Sequence, residues 1–319
     1  MLEIYRPKEN IRPKLYDTVR VKEMGNIIEL MYSEFKNNKI VIKKINANEY
    51  IDTRTGEIKE FNHISDRSQL KSEVRASLRR LRDYLNTNIT DVSHCKWITL
   101  TYSENMTDTK RLYDDFVKFN KRLKYYINKE FDLTYEYIVA MEPQGRGAWH
   151  CHMAMIFETD APFIPNSKMS ELWKQGFTVT KKLDDVDNVG AYLTAYLGDI
   201  SLDEVQDMLD DNKVSAGFVL NNFVGKEVRD VEVDGVKKSI LKGARLCMYP
   251  PKFNLYRCSK GIKKPNIDYK YEFEAQKKIS DGTLTFEKTL KITDSDSDFK
   301  NIINYRYYNL KKENSLYFL

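Results

Sequence analysis

The stretch Trp149-His-Cys-His-Met-Ala-Met-Ile-Phe157 decides the fold expected around it. Polar and apolar residues alternate along it, which is typical of a β-strand whose alternate side chains share one face. His150 and His152, two of the four histidines in the chain, would then point to the same side. Burying two imidazoles on such a strand is costly unless a partner satisfies them. A metal ion is the natural partner, and a hydrogen-bonded core histidine is the alternative. The opposite face would carry Cys151, Met153, Met155 and Phe157.

The preceding segment, Tyr135-Glu-Tyr-Ile-Val-Ala-Met-Glu142, is also strand-like and leads into Pro143-Gln-Gly-Arg-Gly147. Two glycines within three residues indicate a turn, so the pair is predicted to form a β-hairpin. If the turn centres on Arg146, Glu142 lies directly opposite His150, at about 5 Å. A carboxylate and imidazoles on one face suit Mg²⁺ or Mn²⁺ engaging a phosphate, although imidazole also accepts Zn²⁺. A slip of one residue would turn Glu142 to the other face.

A second pattern is Asp187-Asn-Val-Gly-Ala-Tyr192-Leu-Thr-Ala-Tyr196-Leu-Gly198. It predicts a short helix over 188–197, with Asp187 or Asn188 as its N-cap. Tyr192 and Tyr196 stand at i and i+4 and would share one face. By itself this is equally an ordinary amphipathic helix with two half-buried tyrosines, since the chain has 21 tyrosines.

Together these motifs resemble the HUH endonucleases, metal-dependent nickases that initiate rolling-circle replication of small plasmids and phages. The shared features are the His-hydrophobe-His strand, an acid eight residues before it and the downstream Tyr-x-x-x-Tyr helix. Lys96-Trp-Ile-Thr-Leu-Thr-Tyr-Ser-Glu-Asn105 resembles the family's first motif, and the order of the three is the family's order. Trp173-Lys-Gln-Gly176 and Tyr256-Arg-Cys-Ser-Lys-Gly-Ile-Lys-Lys-Pro265 are similar to weaker signatures of bacterial plasmid and phage replication proteins. The resemblance covers roughly residues 64–265.

The resemblance implies sequence-specific nicking and religation of single-stranded DNA through a 5′-phosphotyrosine. Tyr192 would be the first nucleophile and Tyr196 its partner, although the sequence does not rank them. Mg²⁺ or Mn²⁺ would be held by Glu142, His150 and His152. Because the pKa of a tyrosine is ordinarily near 10, a divalent ion that polarises the phosphate is needed at neutral pH.

Ala195 marks one departure from the family. Many relatives carry a lysine between or just beyond the tyrosines, and this chain has alanine in that slot. Cationic help to the phosphate would then come from elsewhere, for example Lys181 or Lys182, or be absent. Whether both tyrosines react is also left open.

Two basic tracts are expected to contact DNA. Residues 235–267 contain nine lysines and arginines and no acid, with Tyr249, Phe253 and Tyr256 interleaved, as expected of a surface that binds phosphates and stacks bases. A basic ridge also follows a predicted helix over 65–86. A solvated loop and a salt-bridged surface helix are the respective alternatives. The predicted DNA contacts are Lys71, Arg75, Arg79, Arg82, Arg146, Lys242, Arg245, Arg257, Lys260 and Lys263.

Composition agrees with a protein of the host cytoplasm. The chain has 319 residues, a net charge of +5 and four cysteines without CxxC spacing. It has no 18-residue apolar stretch and no signal-peptide core, so no membrane partner is expected. No P-loop motif occurs, so the resemblance implies a separate host helicase and polymerase at an origin duplex.

The expected fold is α+β, with a central, mainly antiparallel sheet of about five strands and flanking helices. One sheet face would stay open for metal and DNA. The expected domains are an N-terminal extension (1–63), a nicking domain (64–211) and a basic, partly β C-terminal region in contact with DNA (212–319). The expected helices cover 65–86, 108–130, 188–197 and a short acidic stretch from Ser201, and late strands are expected at 283–287 and 302–306.

Three other functions stay open at this point. An HUH transposase or a conjugative relaxase would share the same active site. A non-catalytic DNA-binding replication regulator would need neither the metal ligands nor the tyrosines. A structural zinc protein would use His94, Cys95, Cys247 and Cys258, which have poor spacing for zinc.

Overall fold

The computed structural model describes residues 2–35, 41–61, 71–145, 147–181, 183, 188–190, 197–210, 215–233, 236–250, 253–295 and 299–311. The chain divides into two compact units. The terminal unit combines Met1–Ser65 with Asn266–Leu319, and the central unit is Asp66–Pro265.

The strands are, in chain order, β1 (Leu2–Tyr5), β2 (Thr18–Met24), β3 (Ile27–Ser33), β4 (Ile42–Lys44), β5 (Glu49–Asp52), β6 (Ile58–Glu60), β7 (Cys95–Tyr102), β8 (Glu136–Pro143), β9 (Trp149–Ile156), β10 (Gly176–Lys181), β11 (Ile200–Ser201), β12 (Val228–Val233), β13 (Val236–Leu241), β14 (Tyr256–Cys258), β15 (Asn266–Tyr271), β16 (Thr283–Asp294) and β17 (Lys300–Asn309). The described helices are α1 (Lys71–Asn88), α2 (Thr109–Phe131), α3 (Asn166–Trp173), α4 (Leu202–Asp210), α5 (Ala216–Phe223) and α6 (Glu272–Lys278), with 3₁₀ turns at Val92–His94 and Ala244–Met248.

The central unit is built on a five-stranded sheet in the order β10-β7-β9-β8-β14. Every neighbouring pair in it is antiparallel. The expected α+β fold with a central antiparallel sheet of five strands is therefore confirmed. The strand that resembles the first HUH motif, β7, lies directly beside the histidine strand, β9.

Helix α2 covers the sheet face opposite the histidines. Asp108 caps it, its side chain accepting hydrogen bonds from the amides of Lys110 and Arg111. The predicted helix over 108–130 is confirmed, and so is the packing of Cys151 and its alternate neighbours on this face. The buried residues that meet there include Leu112, Phe116, Phe119, Leu123, Cys151, Met153 and Met155.

Helix α1 packs on the histidine face itself. Leu81 and Leu85 are each 1% exposed and contact Ala140 and Ala154 of the sheet. The face that we expected to be open is thus partly covered, because the apolar stripe of α1 requires burial. Residues 62–70, which include the expected start of this helix, lie outside the described residues. Of the helix expected over 188–197, only residues 188–190 and 197 are described.

The terminal unit contains a six-stranded sheet in the order β1-β16-β17-β3-β2-β15. Helix α6 packs on one of its faces through Ala275, with Ile279 just beyond, against Val19, Val21 and Leu30. The expected strands at 283–287 and 302–306 are confirmed as parts of β16 and β17. The expected separation of the first 63 residues from a region 212–319 differs from this structure, because β17 pairs with β3 and β15 with β2.

Two three-stranded sheets complete the described fold, in the orders β11-β13-β12 and β4-β5-β6. Helix α4 begins as predicted, with the hydroxyl of Ser201 accepting a hydrogen bond from the amide of Glu204 at 3.1 Å. Among the described helices, none is both long enough and apolar enough to cross a membrane.

Candidate metal and DNA site

The hairpin of β8 and β9 has the register that the sequence predicts. Glu142 is paired with His150 and Ala140 with His152. On the other side of β9, Thr101 faces His150 and Thr99 faces His152. Glu142 and both histidines consequently project from one face of the sheet.

His152 is held in place by three neighbours. Its Nε2 lies 2.6 Å from Oε2 of Glu142, and its Nδ1 lies 3.2 Å from the hydroxyl of Thr99. The indole of Trp97 stacks on the ring with centroids 5.8 Å apart and planes inclined by 12°. The ring of His150 is 6.1 Å away, centroid to centroid. Both imidazoles are half-buried, so the pair lies at the boundary between core and solvent.

Arg245 occupies the other side of the Glu142 carboxylate. Its Nε lies 2.8 Å from Oε1 of Glu142 and donates a hydrogen bond to the carbonyl of Asp199 at 3.0 Å. Its two terminal nitrogens donate to the Glu204 carboxylate at 2.9 and 2.8 Å, and one of them also donates to the carbonyl of Pro143 at 2.7 Å. The residue is 6% exposed. The DNA contact predicted for Arg245 is wrong, because every direction of its guanidinium is taken by the protein.

Glu204 is a member of the site that sequence reasoning missed. Its carboxylate takes the fork of Arg245 and also accepts a hydrogen bond from the amide of Gly145, in the turn between β8 and β9, at 2.5 Å. A Cβ on Gly145 would lie 2.7 Å from Cγ of Glu204, so the turn packs tightly on α4. The sequence predicted only the capping role of this glutamate, and its place in α4 four residues after the buried Ile200 is too weak a signal for more.

The charges in this group reinforce one another. Burial alone raises the pKa of the Glu142 carboxyl, but the charge of Arg245 and the hydrogen bond from His152 outweigh it, so the pKa lies below its ordinary value. Burial alone lowers the pKa of Arg245, and the charges of Glu142 and Glu204 outweigh it, so that pKa is raised. Glu142 is therefore an ionised carboxylate at neutral pH.

The donor set fits a divalent cation in chemistry and in direction. Two imidazoles and one carboxylate on one face suit Mg²⁺, Mn²⁺ or Zn²⁺. As placed, however, Glu142 is shared between His152 and Arg245, and within the described ranges no group of three or more His, Cys, Asp or Glu side chains is arranged to hold an ion. Binding would require the Glu142–His152 hydrogen bond to open.

The structural zinc alternative gains nothing from the structure. The same search of the described residues includes His94, Cys95, Cys247 and Cys258 and finds no group that could hold a metal. Burial raises the pKa of the Cys95 thiol to about 12 and that of Cys258 to about 11. Both are thus protonated at neutral pH and poor ligands.

Tyr192 and Tyr196 lie outside the described residues, but both ends of the segment 191–196 are described. At its start, Asn86 of α1 accepts a hydrogen bond from the amide of Gly190 at 2.7 Å and donates one to Asn188 at 3.0 Å. At its end, the carbonyl of Leu197 accepts a hydrogen bond from the hydroxyl of Tyr249 at 3.1 Å. Leu197 also lines a small pocket together with His152, Trp97 and Ala140. The segment therefore begins and ends on the histidine face.

The other predicted DNA contacts are divided by exposure. Arg79, Lys242, Lys260 and Lys263 are exposed, and Arg82 and Arg257 are half-buried. The guanidinium of Arg257 lies 3.5 Å from the ring centroid of Tyr113, on the α2 side. Arg146 and the side chains of Lys71 and Arg75 are not among the described parts of the chain, and neither is Lys182.

The aromatic residues of the basic tract are mostly core residues. Tyr249 and Phe253 are 1% and 6% exposed, and Phe253 stacks on Trp149 with centroids 4.6 Å apart. Their predicted role in base stacking is wrong, because the core beneath β9 requires apolar rings to fill it. Tyr256 is half-buried, with its ring edge-on to Tyr84 at 6.1 Å.

The weak signature Trp173–Gly176 has a structural role. The indole of Trp173 donates to the carbonyl of Thr101 at 3.0 Å. Gly176 has φ +152°, and a Cβ there would lie 2.4 Å from the amide nitrogen of Ser103. Only glycine fits this approach to β7, the strand that faces both histidines.

Comparison with known proteins places this geometry in a replication context. No curated protein matches the chain. Residues 95–200, from the start of β7 to the start of β11, match a family model of replication-associated proteins, the ORF2 family. That segment contains Glu142, both histidines and both tyrosines, so over its site the chain is similar to replication-associated proteins.

Proposed function

We propose that the chain initiates rolling-circle DNA replication by nicking and later rejoining one DNA strand through a 5′-phosphotyrosine. The observation that carries the proposal is the placement of Glu142 opposite His150, with His152 on the same face and the tyrosine segment anchored there at both ends. The match of residues 95–200 to replication-associated proteins supports the same biological role.

The metal-binding residues of this proposal are Glu142, His150 and His152. A bound Mg²⁺ or Mn²⁺ would polarise the scissile phosphate and offset charge in the transition state. Glu142 is buried and ionised, and Trp97 and Thr99 fix the ring of His152. This arrangement lets the ligands keep their orientation while one side faces solvent and substrate.

Tyr192 supplies the nucleophile and Tyr196 a second one. The phenol oxygen bonds to phosphorus, the bond from phosphorus to the 3′-oxygen breaks, and the phenol proton passes to solvent while the 3′-oxygen leaves as a hydroxyl. The number of phosphoester bonds is unchanged, so the reverse attack by a 3′-hydroxyl can reseal the strand. The exposed Arg79, Lys242 and Lys260 are available to bind single-stranded DNA. Duplex unwinding and synthesis fall to a separate helicase and polymerase.

Covalent trapping tests this proposal. The full chain is incubated with single-stranded oligonucleotides tiled across both strands of the DNA that flanks its coding sequence, with Mn²⁺ or with EDTA. We expect a Mn²⁺-dependent adduct, visible as a band shift on a denaturing gel and mapped by peptide mass spectrometry to Tyr192 or Tyr196. Tyr192→Phe should reduce first-strand adduct to background, because phenylalanine lacks the attacking oxygen.

Tyr125→Phe is the matched control, since Tyr125 is 70% exposed on α2, away from the histidine face. It should form adduct like the wild type. DNA binding without adduct on any tiled strand would instead support a non-catalytic replication regulator. An adduct formed only on a strand with transposon-end or transfer-origin structure would support a transposase or relaxase.

A further inference from the structure

The buried ion pair between Arg245 and Glu142 has a consequence for the metal site. We propose that Arg245 is a positioning residue that opposes the divalent ion at Glu142, and that Glu204 sets how strongly it does so. This inference rests on the proposed function, since it concerns the ion that Glu142, His150 and His152 would hold.

The first step is the competition for one carboxylate. Oε2 of Glu142 is bonded to His152 and Oε1 lies 2.8 Å from Arg245. The Arg245 side chain is 7% exposed and the Glu142 side chain 9% exposed, so water screens their attraction little. An ion on Glu142 would lie within a few ångströms of a guanidinium whose charge it repels.

The second step is the role of Glu204. This residue takes both terminal nitrogens of Arg245, at 2.9 and 2.8 Å, whereas Glu142 contacts only Nε. Part of the field of the guanidinium is thereby cancelled before it reaches the metal position. Glu204 is also the more exposed of the two carboxylates, at 26% of its side chain, so it can be changed without stranding a deeply buried charge.

The third step is the charge that a DNA phosphate would meet. Glu142, Arg245 and Glu204 together carry a net charge of −1. A divalent ion would bring the group to +1, which attracts a phosphodiester. Without Arg245 the same ion would give a neutral group, so the arginine trades metal affinity for attraction of the substrate.

The test is the affinity for Mn²⁺ alone, without DNA, measured by calorimetry or by the electron paramagnetic resonance of free Mn²⁺. We expect Arg245→Gln to bind Mn²⁺ at least about tenfold more tightly, because a repelling charge is removed. We expect Glu204→Gln to bind it several-fold more weakly, because Arg245 is left uncancelled. Glutamine keeps the acceptor for Gly145, so the turn is retained. Arg245→Lys, which keeps the charge, should stay closer to wild type than Arg245→Gln.

Arg229→Gln is the matched control, because Arg229 pairs with Glu227 at 2.6 Å on an exposed surface of the same unit. It should leave Mn²⁺ affinity unchanged. A merely structural role for Arg245 would weaken binding in both site variants, and that common direction would overturn the inference while leaving the proposed function intact. If Arg245→Gln fails to fold, unchanged affinity in Glu204→Gln overturns it alone. Absence of saturable Mn²⁺ binding by the wild type would defeat both the inference and the metal step of the proposed function.

Discussion

Glu29 is a buried carboxylate at the centre of the six-stranded sheet, with 1% of its surface exposed. Arg20 lies 2.5 Å from it, Lys22 lies 3.4 Å away, and the hydroxyl of Tyr307 donates to it. Burial alone raises the pKa of this carboxyl, but the charge of Lys22, the hydrogen bond from Tyr307 and the charge of Arg20 together lower it below its ordinary value. Its ionisation is therefore linked to the stability of the terminal unit.

The sign of that linkage gives a pH prediction. A carboxyl whose pKa is lower in the folded than in the unfolded chain stabilises the fold above its unfolded pKa, near 4.3, and stops doing so as pH falls through its folded pKa. Glu29→Gln should reduce the free energy of unfolding at pH 7 by about 3 kcal/mol, since two buried cations lose their partner. It should also lose less stability than wild type between pH 5 and pH 3. Urea unfolding at several pH values measures both effects.

Glu3→Gln serves as the comparison, because Glu3 is exposed on β1. It should change the free energy of unfolding at pH 7 by less than about 0.5 kcal/mol. Equal acid sensitivity of the wild type and Glu29→Gln would contradict the assignment.

Arg245 and Lys242 show how far single residues could be predicted from the sequence. Both belong to the same acid-free tract, yet Lys242 is exposed and Arg245 is buried. The difference arises from Glu142 and Glu204, which are distant in sequence and are brought to Arg245 only by the fold. Charge counting along the chain cannot identify such partners, whereas the pairing of Glu142 with His150 followed from strand alternation and turn position alone.

The segment 191–196 depends on α1 for its position on the histidine face. Gly190 is the close contact between them: a Cβ there would lie 2.4 Å from the carbonyl oxygen of Arg82 and 2.8 Å from Oδ1 of Asn86. A backbone carbonyl within a helix cannot move away cheaply, so a side chain at position 190 must displace the segment itself.

Gly190→Ala should therefore reduce the yield of covalent DNA adduct by about tenfold or more, because a nucleophile displaced by about 1 Å is badly aligned. The affinity for Mn²⁺ should stay within about twofold of wild type, since the three predicted ligands are on β8 and β9. Adduct yield and Mn²⁺ binding are measured on the same preparation.

Gly217→Ala controls for the change of residue type, because a Cβ there meets only the hydroxyl of Ser215 at 3.7 Å. It should leave both quantities unchanged. If Gly190→Ala forms adduct at the wild-type rate, the anchoring of this segment by α1 has no functional weight.

Helices and strands were predictable where the pattern was periodic. The period-two alternation of β8 and β9 and the stripe Leu112, Phe116, Phe119 and Leu123 predicted the right elements. The position of α1 was not predictable. Its stripe shows which side of the helix is buried, but not which face of the sheet buries it, and so the histidine face was expected to be open.

The molecule as a whole is divided in a way that local patterns do not reveal. The start and end of the central unit, Asp66 and Pro265, agree closely with the range of the HUH resemblance, 64–265. The first and last parts of the chain nevertheless form one unit together. Alternation identifies a strand such as β17 but does not name β3 as its neighbour, because that partner lies at the far end of the chain.

This division predicts that damage to the core of the terminal unit spreads across both ends of the chain. Leu30 is fully buried against α6, and Leu30→Ala should reduce the stability of that unit by about 2–5 kcal/mol. Amide hydrogen exchange should become faster in β2, β3, β17 and α6 alike. The five-stranded sheet of the central unit should keep its protection.

Leu15→Ala is the control for this experiment, as Leu15 is 54% exposed. It should leave exchange in every strand near the wild-type rate. Faster exchange in β2 and β3 without any change in β17 would show that the two ends do not form one cooperative unit.

The pairing of β17 with β3 also orders events during translation. The ribosome releases β2 and β3 first and then the entire central unit, before the strand that lies between β3 and β16 has been made. Domains generally fold as they emerge, so the nascent chain can complete the unit with the candidate active site while its first strands still expose an unpaired edge. A ribosome that stalls before codon 300 would release a chain with the central unit and an incomplete terminal sheet. Cells therefore have reason to protect the first 33 residues with a chaperone until synthesis ends.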